Sequence, residues 1–208
     1  VTHERPVAEA QAAYELIDSG EEPFLALQLN YGATANDEPT PTRRKGPNSD
    51  LPGIGLVGAG AFASGVLVPA FKAASFGHFV SVASASGVSA RRLAEREGFQ
   101  RAVAGATAVI EDPDVEVVVI ATRHDTHAAL AAQALRAGKD VYCEKPLALT
   151  MEELGEVEEA WRSSGRVLFV GFNRRFSPPV RRVIEHVAGR SGPLVANSRV
   201  SAGQVPKG

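Results

Sequence analysis

The sequence predicts an α/β fold in which a doubly wound parallel sheet carries helices on both faces. Three observations lead to this fold class. Short apolar strands alternate with helical segments from Leu51 onward, the run VEVVVIA at 115–121 is mostly β-branched, and the first of the strands ends in glycines. A continuous β-branched run is typical of a strand buried on both faces. Strands that alternate with helices indicate parallel pairing through right-handed crossovers.

The individual elements follow from apolar periodicity and from capping residues. Strands are predicted at 54–57, 79–83, 101–103, 115–121, 141–144, 166–171 and 194–200. Helices are predicted at 61–74, 89–97, 107–111, 125–137, 150–163 and 177–187. We expect Ser89, Asp125 and Thr150 to cap their helices, the last in a capping box with Glu153. We expect Pro69 to distort its helix, because proline cannot donate a backbone hydrogen bond.

The first 50 residues differ in pattern from the rest of the chain. Residues 7–18 have helical spacing, with one apolar face made of Val7, Ala10, Tyr14 and Ile17. Ser19-Gly20 is expected to end this helix, residues 24–31 alternate as a strand does, and 32–50 have the composition of a linker. One helix and one strand cannot bury a core, so we expect them to dock on another domain.

Composition excludes several classes of function. The net charge of -2 provides no broad basic surface, so a nucleic-acid partner is not expected. The single cysteine, Cys143, lies in an apolar run, which predicts a buried, inert thiol and neither a disulfide framework nor a cysteine-rich metal site. No long apolar run or signal peptide is present, so we expect no membrane span and a cytoplasmic location.

A glycine-rich turn follows the first strand of the main region. In Gly58-Ala59-Gly60-Ala61-Phe62-Ala63, the first glycine permits a tight turn and the second leaves room for a pyrophosphate. The small Ala63 lets helix and strand pack closely, and the helix start offers free N–H groups to phosphates. The alternative is that the glycines are present only because a larger side chain would not fit at a strand-to-helix turn. Between a strand and a helix, the motif favours a dinucleotide-binding Rossmann fold.

The second strand ends in Ser84-Ala85-Ser86-Gly87, without the acid that usually holds the ribose 2′-hydroxyl of NAD. Small hydroxyl residues followed by Arg91 suit a 2′-phosphate, because a guanidinium can pair with it. This pattern favours NADP slightly over NAD. The alternative is that Arg91 and Arg92 are solvated charges with Glu95 as their helical partner.

The loop after the buried strand, Thr122 to His127, is expected to pass near the nicotinamide end of a bound cofactor. His127 falls in the first helical turn and is expected to be a packed, hydrogen-bonded histidine. His124 is expected to face the cleft. The pair His124-x-x-His127 has no cysteine or carboxylate cluster beside it, so no metal site is predicted.

Glu144-Lys145-Pro146 ends the fifth strand of the main region. Oxidation of a hydroxyl by hydride transfer requires removal of its proton, and a lysine at a strand end can accept, supply or orient that proton. We expect Lys145 to have this catalytic role, with Glu144 holding it by charge and Pro146 fixing the turn. The alternative is a surface lysine in a turn.

Three segments in this order resemble the Gfo/Idh/MocA oxidoreductases: GIGLVGAGAFA at 53–63, VVVIATRHDTHAALAAQALRAGKDVYCEKPLALT at 117–150, and VGFNRRFSP at 170–178. The resemblance implies NAD(P)-dependent oxidation of a hydroxyl on a sugar, nucleotide sugar or polyol, with Lys145 beside the nicotinamide and the substrate. One departure is Arg123-His124, where the family often has Pro-Asn. The residues expected to bind the cofactor are Gly58, Gly60, Ala61, Phe62, Ser84, Ser86, Arg91, Thr122, His124, His127, Glu144, Lys145, Asn173 and Arg174.

The resemblance also implies a domain organisation. Residues 51–172 are the predicted NAD(P)-binding domain, and 173–208 the beginning of a truncated α+β substrate and dimerisation domain. Residues 1–32 resemble the C-terminal tail of a medium-chain zinc-type alcohol dehydrogenase, followed by the linker 33–50. We therefore expect a fragment of a bi-domain oxidoreductase that binds cofactor, is inactive alone, and forms a homo-oligomer when full-length.

Two other functions compete with this interpretation. A non-catalytic dinucleotide-binding or sensing module would have no need of Lys145 at a strand end. A methyltransferase that uses S-adenosylmethionine also has a glycine turn, but it typically carries an acid after the second strand. The stretch Ser84 to Gly87 and the Glu-Lys-Pro sequence both argue against the methyltransferase.

Overall fold

The computed structural model describes residues 3–20, 22–23, 25–30 and 51–189. The chain divides into two compact units, Val1–Thr42 and Arg43–Gly208. Within the described residues, no helix has the length and apolar character needed to cross a membrane. The predicted linker 33–50 and the predicted strand 194–200 lie outside the described residues.

The first unit contains strand β1 (His3–Pro6), helix α1 (Ala10–Ser19) and strand β2 (Leu27–Asn30). The two strands pair in parallel, and α1 ends at Gly20 in the left-handed conformation, as predicted. The sequence did not predict β1, because its residues HERP are polar and end in proline. The predicted apolar helix face is not covered in this unit: Tyr14 is 64% exposed, and Ala13 is the buried residue of α1.

The second unit alternates strands and helices, as the sequence predicts. Its strands are β3 (Gly53–Val57), β4 (His78–Ala83), β5 (Arg101–Val103), β6 (Val117–Ile120), β7 (Asp140–Cys143) and β8 (Leu168–Val170). Its helices are α2 (Val68–Ala73), α3 (Val88–Glu97), α4 (Gly105–Ile110), α5 (His127–Arg136), α6 (Met151–Ser164) and α7 (Pro178–Val187). Short 3-10 turns span His124–Thr126 and Asn173–Phe176.

Within residues 51–189, six strands form one parallel sheet in the order β5-β4-β3-β6-β7-β8. The chain therefore builds one half of the sheet outward from β3, returns to the centre at β6, and builds the other half. This doubly wound order is that of a Rossmann fold, and the order reverses between β3 and β6. The predicted fold class is confirmed.

The core consists of two apolar clusters, one on each face of the sheet. Val118 of β6 packs with Leu135 of α5 and Val157 of α6 on one face. Val119 points to the other face, where it joins Leu93 of α3. Alternate residues of β6 are therefore buried on opposite sides, as a continuous β-branched run requires.

Three local predictions are confirmed, on Pro69, Thr150 and Cys143. Pro69 does distort its helix, since the turn Ala63–Leu67 before it is a π-helix. Thr150 forms the predicted capping box: the backbone N–H of Glu153 donates to its hydroxyl oxygen at 3.1 Å. Cys143 is fully buried, as predicted, and burial raises the pKa of its thiol to about 12.

Two predicted caps are wrong. Ser89 does not cap α3, which begins after Gly87 in the left-handed conformation; the Ser84 hydroxyl oxygen accepts a hydrogen bond from Ala90 N–H instead. Asp125 does not cap α5, because a 3-10 turn precedes that helix and the Asp125 carboxylate lies 3.4 Å from the guanidinium of Arg123.

Candidate functional site

The glycine turn lies where the carboxyl ends of β3, β4 and β6 meet. Gly58 has φ = 104°, and a side chain there would collide with the carbonyl oxygen of Ala121. Its N–H donates to the carbonyl oxygen of Ala83 at 2.9 Å. Gly58 therefore lies too close to the end of β6 for any larger residue, as expected for the tight turn.

Gly60 has a different environment from Gly58. A Cβ added at Gly60 would meet no atom within 4 Å, so the surface in front of the turn is open. Helical backbone begins next to it at Ala61 and continues through the π-helical turn Ala63–Leu67 into α2. The buried Ala63 packs against the sheet. The turn thus offers open space, a helix start whose first N–H groups need no partner within the helix, and a close helix–strand contact.

A small cavity of about 390 Å³ adjoins this turn. Its lining residues are Ala59, Ser64, Ser86, Val88, Ser89, Arg92, Leu93 and Arg96. Ser86 thus lies where the sequence predicts a 2′-phosphate contact, whereas Ser84 is engaged with Ala90 N–H and with Ser89 Oγ, which lies 2.8 Å away.

Arg92, and not the predicted Arg91, lines this small cavity. The reason is helical phase: Arg92 is four residues after Val88 and four before Arg96, so all three share one face of α3. Arg91 is exposed on another face. The four-residue spacing of Val88, Arg92 and Arg96 is visible in the sequence. It predicts which arginine borders the cavity only when α3 is known to begin at Val88.

A larger cavity of about 770 Å³ lies at the carboxyl ends of β6, β7 and β8. Its lining includes the predicted site residues Phe62, Thr122, His124, His127, Glu144, Lys145, Asn173 and Arg174, together with Ala121, Gly171, Phe172 and Arg175. Gly58, Gly60, Ala61, Ser84, Ser86 and Arg91 are not among these lining residues. Parallel strands bring their carboxyl ends to one edge, which is why residues distant in sequence meet here.

His127 joins two loops of the larger cavity. Its ring is fully buried, with Nδ1 2.7 Å from the carbonyl oxygen of Pro146 and Nε2 3.3 Å from that of Thr122. The prediction of a packed, hydrogen-bonded histidine is confirmed. The exposed His124 ring lies edge-on to it, with 5.6 Å between ring centroids.

Glu144 is held in a hydrogen-bond network at the cavity wall. Its Oε1 accepts from the Tyr142 hydroxyl at 2.8 Å and from Asn173 Nδ2 at 3.1 Å, and the residue is only 8% exposed. Burial, together with the neighbouring Glu144, raises the pKa of the Tyr142 hydroxyl. Gly171 is needed beside them, because a Cβ there would lie 2.7 Å from Glu144 Oε1.

This network contradicts the expected role of Glu144 as the charge partner of Lys145. Residues two apart on an extended chain point to the same side, so Glu144 faces Tyr142 while Lys145 points elsewhere. Lys145 is exposed to the cavity and forms no ion pair with any residue that the structure describes. Its ammonium group is therefore available to a ligand.

Comparison with known proteins bears on the whole of this region. The family described as "Oxidoreductase family, NAD-binding Rossmann fold", Gfo/Idh/MocA, matches residues 53–172, more than half of the chain. The chain belongs to the Gfo/Idh/MocA family. The predicted resemblance is confirmed, and the matched residues span the sheet, the glycine turn and most of the lining of the larger cavity.

Two curated relatives illustrate the similarity. A 1,5-anhydro-D-fructose reductase from Ensifer adhaerens is 34% identical over 143 residues, which cover 68% of this chain and 43% of that protein. An inositol 2-dehydrogenase 2 from Saccharopolyspora erythraea is 38% identical over 144 residues, covering 67% of this chain and 42% of its own. The chain thus spans about two fifths of the length of these relatives.

Among solved structures, KijD10 from Actinomadura kijaniata has a TM-score of 0.62 and 28% sequence identity, over 66% of this chain and 43% of its own. It is described as a 3-ketoreductase in complex with TDP-benzene and NADP. The fold and the family are therefore shared with dehydrogenases and reductases.

Proposed function

We propose that this chain is the cofactor-binding part of an oxidoreductase that transfers a hydride between a nicotinamide dinucleotide and a hydroxyl or carbonyl carbon of a sugar, nucleotide sugar or polyol. The observation that carries the proposal is the composition of the larger cavity. Phe62, which follows the glycine turn, and Lys145, at the end of β7, line the same cavity. A nicotinamide that entered from the turn would therefore meet a lysine.

The residues present fit a dinucleotide. Gly58 permits the close turn, and the open space at Gly60 lies beside the helix start at Ala61, where backbone N–H groups would hold a pyrophosphate. Thr122, His124, Asn173 and Arg174 would surround the nicotinamide end. When bound, the cofactor supplies or accepts the hydride.

Lys145 is the residue of this chain proposed to handle the proton. Its ammonium group has no carboxylate partner among the described residues and borders the cavity. It can donate a hydrogen bond to the oxygen of a substrate hydroxyl or carbonyl and so hold or move the proton at that atom. His127 keeps the loop that carries Lys145 in place through its hydrogen bond with Pro146.

The cofactor is proposed to be NADP in preference to NAD. No carboxylate follows β4 in the stretch Ser84 to Gly87, and Ser86 and Arg92 share the small cavity beside the glycine turn. A guanidinium and a hydroxyl group can both donate to a 2′-phosphate. Relatives use both cofactors, since the family is described as NAD-binding and the KijD10 structure contains NADP.

The intact protein is further proposed to work in the cytoplasm on a small sugar-like substrate and to form a homo-oligomer. The relatives support the substrate class, since two of them are named for anhydrofructose and inositol. The described part of the chain supplies the cofactor side of the site, and it spans about two fifths of those relatives.

The test is substitution of Lys145 in the intact protein. Oxidation of NADPH with 1,5-anhydro-D-fructose and reduction of NADP with myo-inositol are followed by nicotinamide absorbance. The wider panel contains sugars, polyols, sugar acids, sugar phosphates and nucleotide sugars. We expect Lys145→Met to lower kcat by roughly a hundredfold or more, as loss of a general acid does, and to change the NADPH Kd by less than about fivefold. Lys145→Arg is the control that keeps the positive charge but replaces the ammonium group with a guanidinium group.

Undiminished turnover by Lys145→Met would contradict the role of the lysine. Absence of turnover by the unsubstituted protein with the entire panel would contradict the proposed substrate class.

A further inference from the structure

The larger cavity carries an excess of positive charge. Among the described residues that line it, Lys145, Arg174 and Arg175 are cations, and Glu144 is the carboxylate that opposes them. The Glu144 carboxylate already accepts two hydrogen bonds from neutral groups. None of the three cations forms an ion pair within the part of the chain that the structure describes.

Arg175 lies against aromatic rings and has no counter-ion among the described residues. Its guanidinium carbon lies 4.9 Å from the centroid of the Phe176 ring and 5.8 Å from that of Phe169. Those rings stack with centroids 6.3 Å apart, and Phe169 stacks in turn on Tyr142 at 5.5 Å. A guanidinium on an aromatic face keeps its N–H groups free at the edge, where they can bind a carboxylate or a phosphate.

The position of Arg175 argues against a role with the cofactor pyrophosphate. The glycine turn follows β3, whereas Arg175 follows β8, and β6 and β7 lie between these strands in the sheet. Three strand spacings amount to about 14 Å. The nicotinamide end that the cavity would receive carries no anionic group of its own. An anion at Arg175 would therefore belong to another molecule.

We propose that Arg175, with Arg174 beside it, forms a subsite for an anionic group of the substrate, a carboxylate or a phosphate. This inference rests on the proposed function and narrows its substrate class. The substrate is a sugar acid, a phosphorylated sugar or a nucleotide-linked sugar, and not a neutral polyol. The anionic group docks on the guanidinium fork while the reacting carbon lies toward Lys145.

The test uses the 208-residue chain saturated with NADPH, so that the glycine turn is filled. Inorganic phosphate and acetate are titrated at constant ionic strength, and backbone amide signals are followed by two-dimensional NMR. We expect saturable shifts at Asn173, Arg174 and Arg175. In Arg175→Gln, binding of the anion should weaken by about fivefold or more, as loss of a charge-assisted hydrogen bond predicts.

The matched control is Arg123→Gln. This arginine is not among the residues that line the cavity; its side chain is 89% exposed and pairs with Asp125, so its loss should leave anion binding unchanged. A stronger response to phosphate supports a phosphorylated or nucleotide-linked substrate, and a stronger response to acetate supports a sugar acid.

Two results would overturn the inference. One is a shift pattern that is non-saturable or is the same in Arg175→Gln. The other is a weakening of NADPH itself by more than about fivefold in Arg175→Gln, which would make Arg175 a cofactor contact. If NADPH shifts no amide near Gly58–Phe62 in the unsubstituted chain, the proposed function fails separately, and the phosphate titration of the unliganded chain still decides the subsite.

Discussion

Arg91 and Arg92 are neighbours in sequence, yet α3 turns them to different surroundings. Arg92 borders the small cavity with Ser86, whereas Arg91 is exposed and lies outside that lining. A cofactor phosphate beside Ser86 would therefore meet one guanidinium and not the other. The adjacent pair provides a test of cofactor preference in which the two variants lose the same charge from the same helix.

We predict that the chain binds NADPH at least about tenfold more tightly than NADH, as one charge-assisted contact allows. Arg92→Ala should remove this difference, and Arg91→Ala should keep it. Titrations followed by nicotinamide fluorescence measure both affinities. If only Arg91→Ala abolishes the preference for NADPH, Arg91 and not Arg92 contacts the 2′-phosphate. If the unsubstituted chain binds NADH more tightly than NADPH, the proposed NADP preference is contradicted.

At the residue scale, the sequence predicted which side chains meet but not which atoms pair. Eight predicted residues line the larger cavity because each follows a parallel strand, and strand ends share an edge. The pairing of Glu144 with Tyr142 and Asn173 was missed, because it depends on which side of the chain each residue takes at the strand end. Side-chain direction is decided by packing across β7 and β8.

At the scale of elements, the ends of β7 and β8 are joined through Glu144. Its carboxylate links Tyr142, on β7, to Asn173, beyond β8, and Gly171 leaves the room in which this contact forms. The hydrogen-bond network therefore fixes the segment that carries Arg174 against the strand that carries Lys145. A side chain at Gly171 would force these two elements apart.

We expect Gly171→Ala to lower the free energy of unfolding by about 1–3 kcal/mol, because the methyl group overpacks against Glu144 Oε1 and the Tyr142 hydroxyl. Gly155→Ala in α6 is the control: its methyl group would meet nothing within 4 Å, and alanine should stabilise the helix by roughly 0.5–1 kcal/mol. Urea unfolding measures both. Equal stability of Gly171→Ala and the unsubstituted chain would contradict the close contact.

Element order was predictable because apolar periodicity and turn residues agree along most of the second unit. Element boundaries were less so. Ser89 and Asp125 have the right chemistry for caps, but Gly87 and a 3-10 turn begin those helices instead. Strand β1 was missed because it is held to β2 by backbone hydrogen bonds. Its polar residues show no apolar alternation from which a strand could be predicted.

At the scale of the whole molecule, burial makes two side chains keep their protons to a higher pH than they would in the unfolded chain. These groups are the Cys143 thiol and the Tyr142 hydroxyl. Burial raises the pKa of Cys143 to about 12 and also raises that of Tyr142. An unfolded thiol loses its proton near pH 8.5, so above that pH the native state binds more protons than the unfolded state. Stability conferred below the unfolded pKa is therefore lost as the pH rises toward the folded pKa.

We predict that the free energy of unfolding falls as the pH rises from about 8.5 to 11, by on the order of 1 kcal/mol per pH unit from Cys143. Tyr142 adds to this fall only above about pH 10, where an unfolded tyrosine begins to lose its proton. Cys143→Ala should show a shallower fall than the unsubstituted chain over the same range. Urea unfolding at several pH values measures both slopes. Identical slopes would show that the buried thiol does not contribute.

A dinucleotide is proposed to lie with its pyrophosphate against the glycine turn, and the variant Gly60→Val is the first test of this placement. Nothing lies within 4 Å of a Cβ at Gly60, so the variant should unfold at the same urea concentration as the unsubstituted chain. A valine side chain would occupy the space of the pyrophosphate. We expect a loss of NADPH affinity of roughly tenfold or more, measured by nicotinamide fluorescence. A folded Gly60→Val chain that binds NADPH as tightly as the unsubstituted one would contradict it.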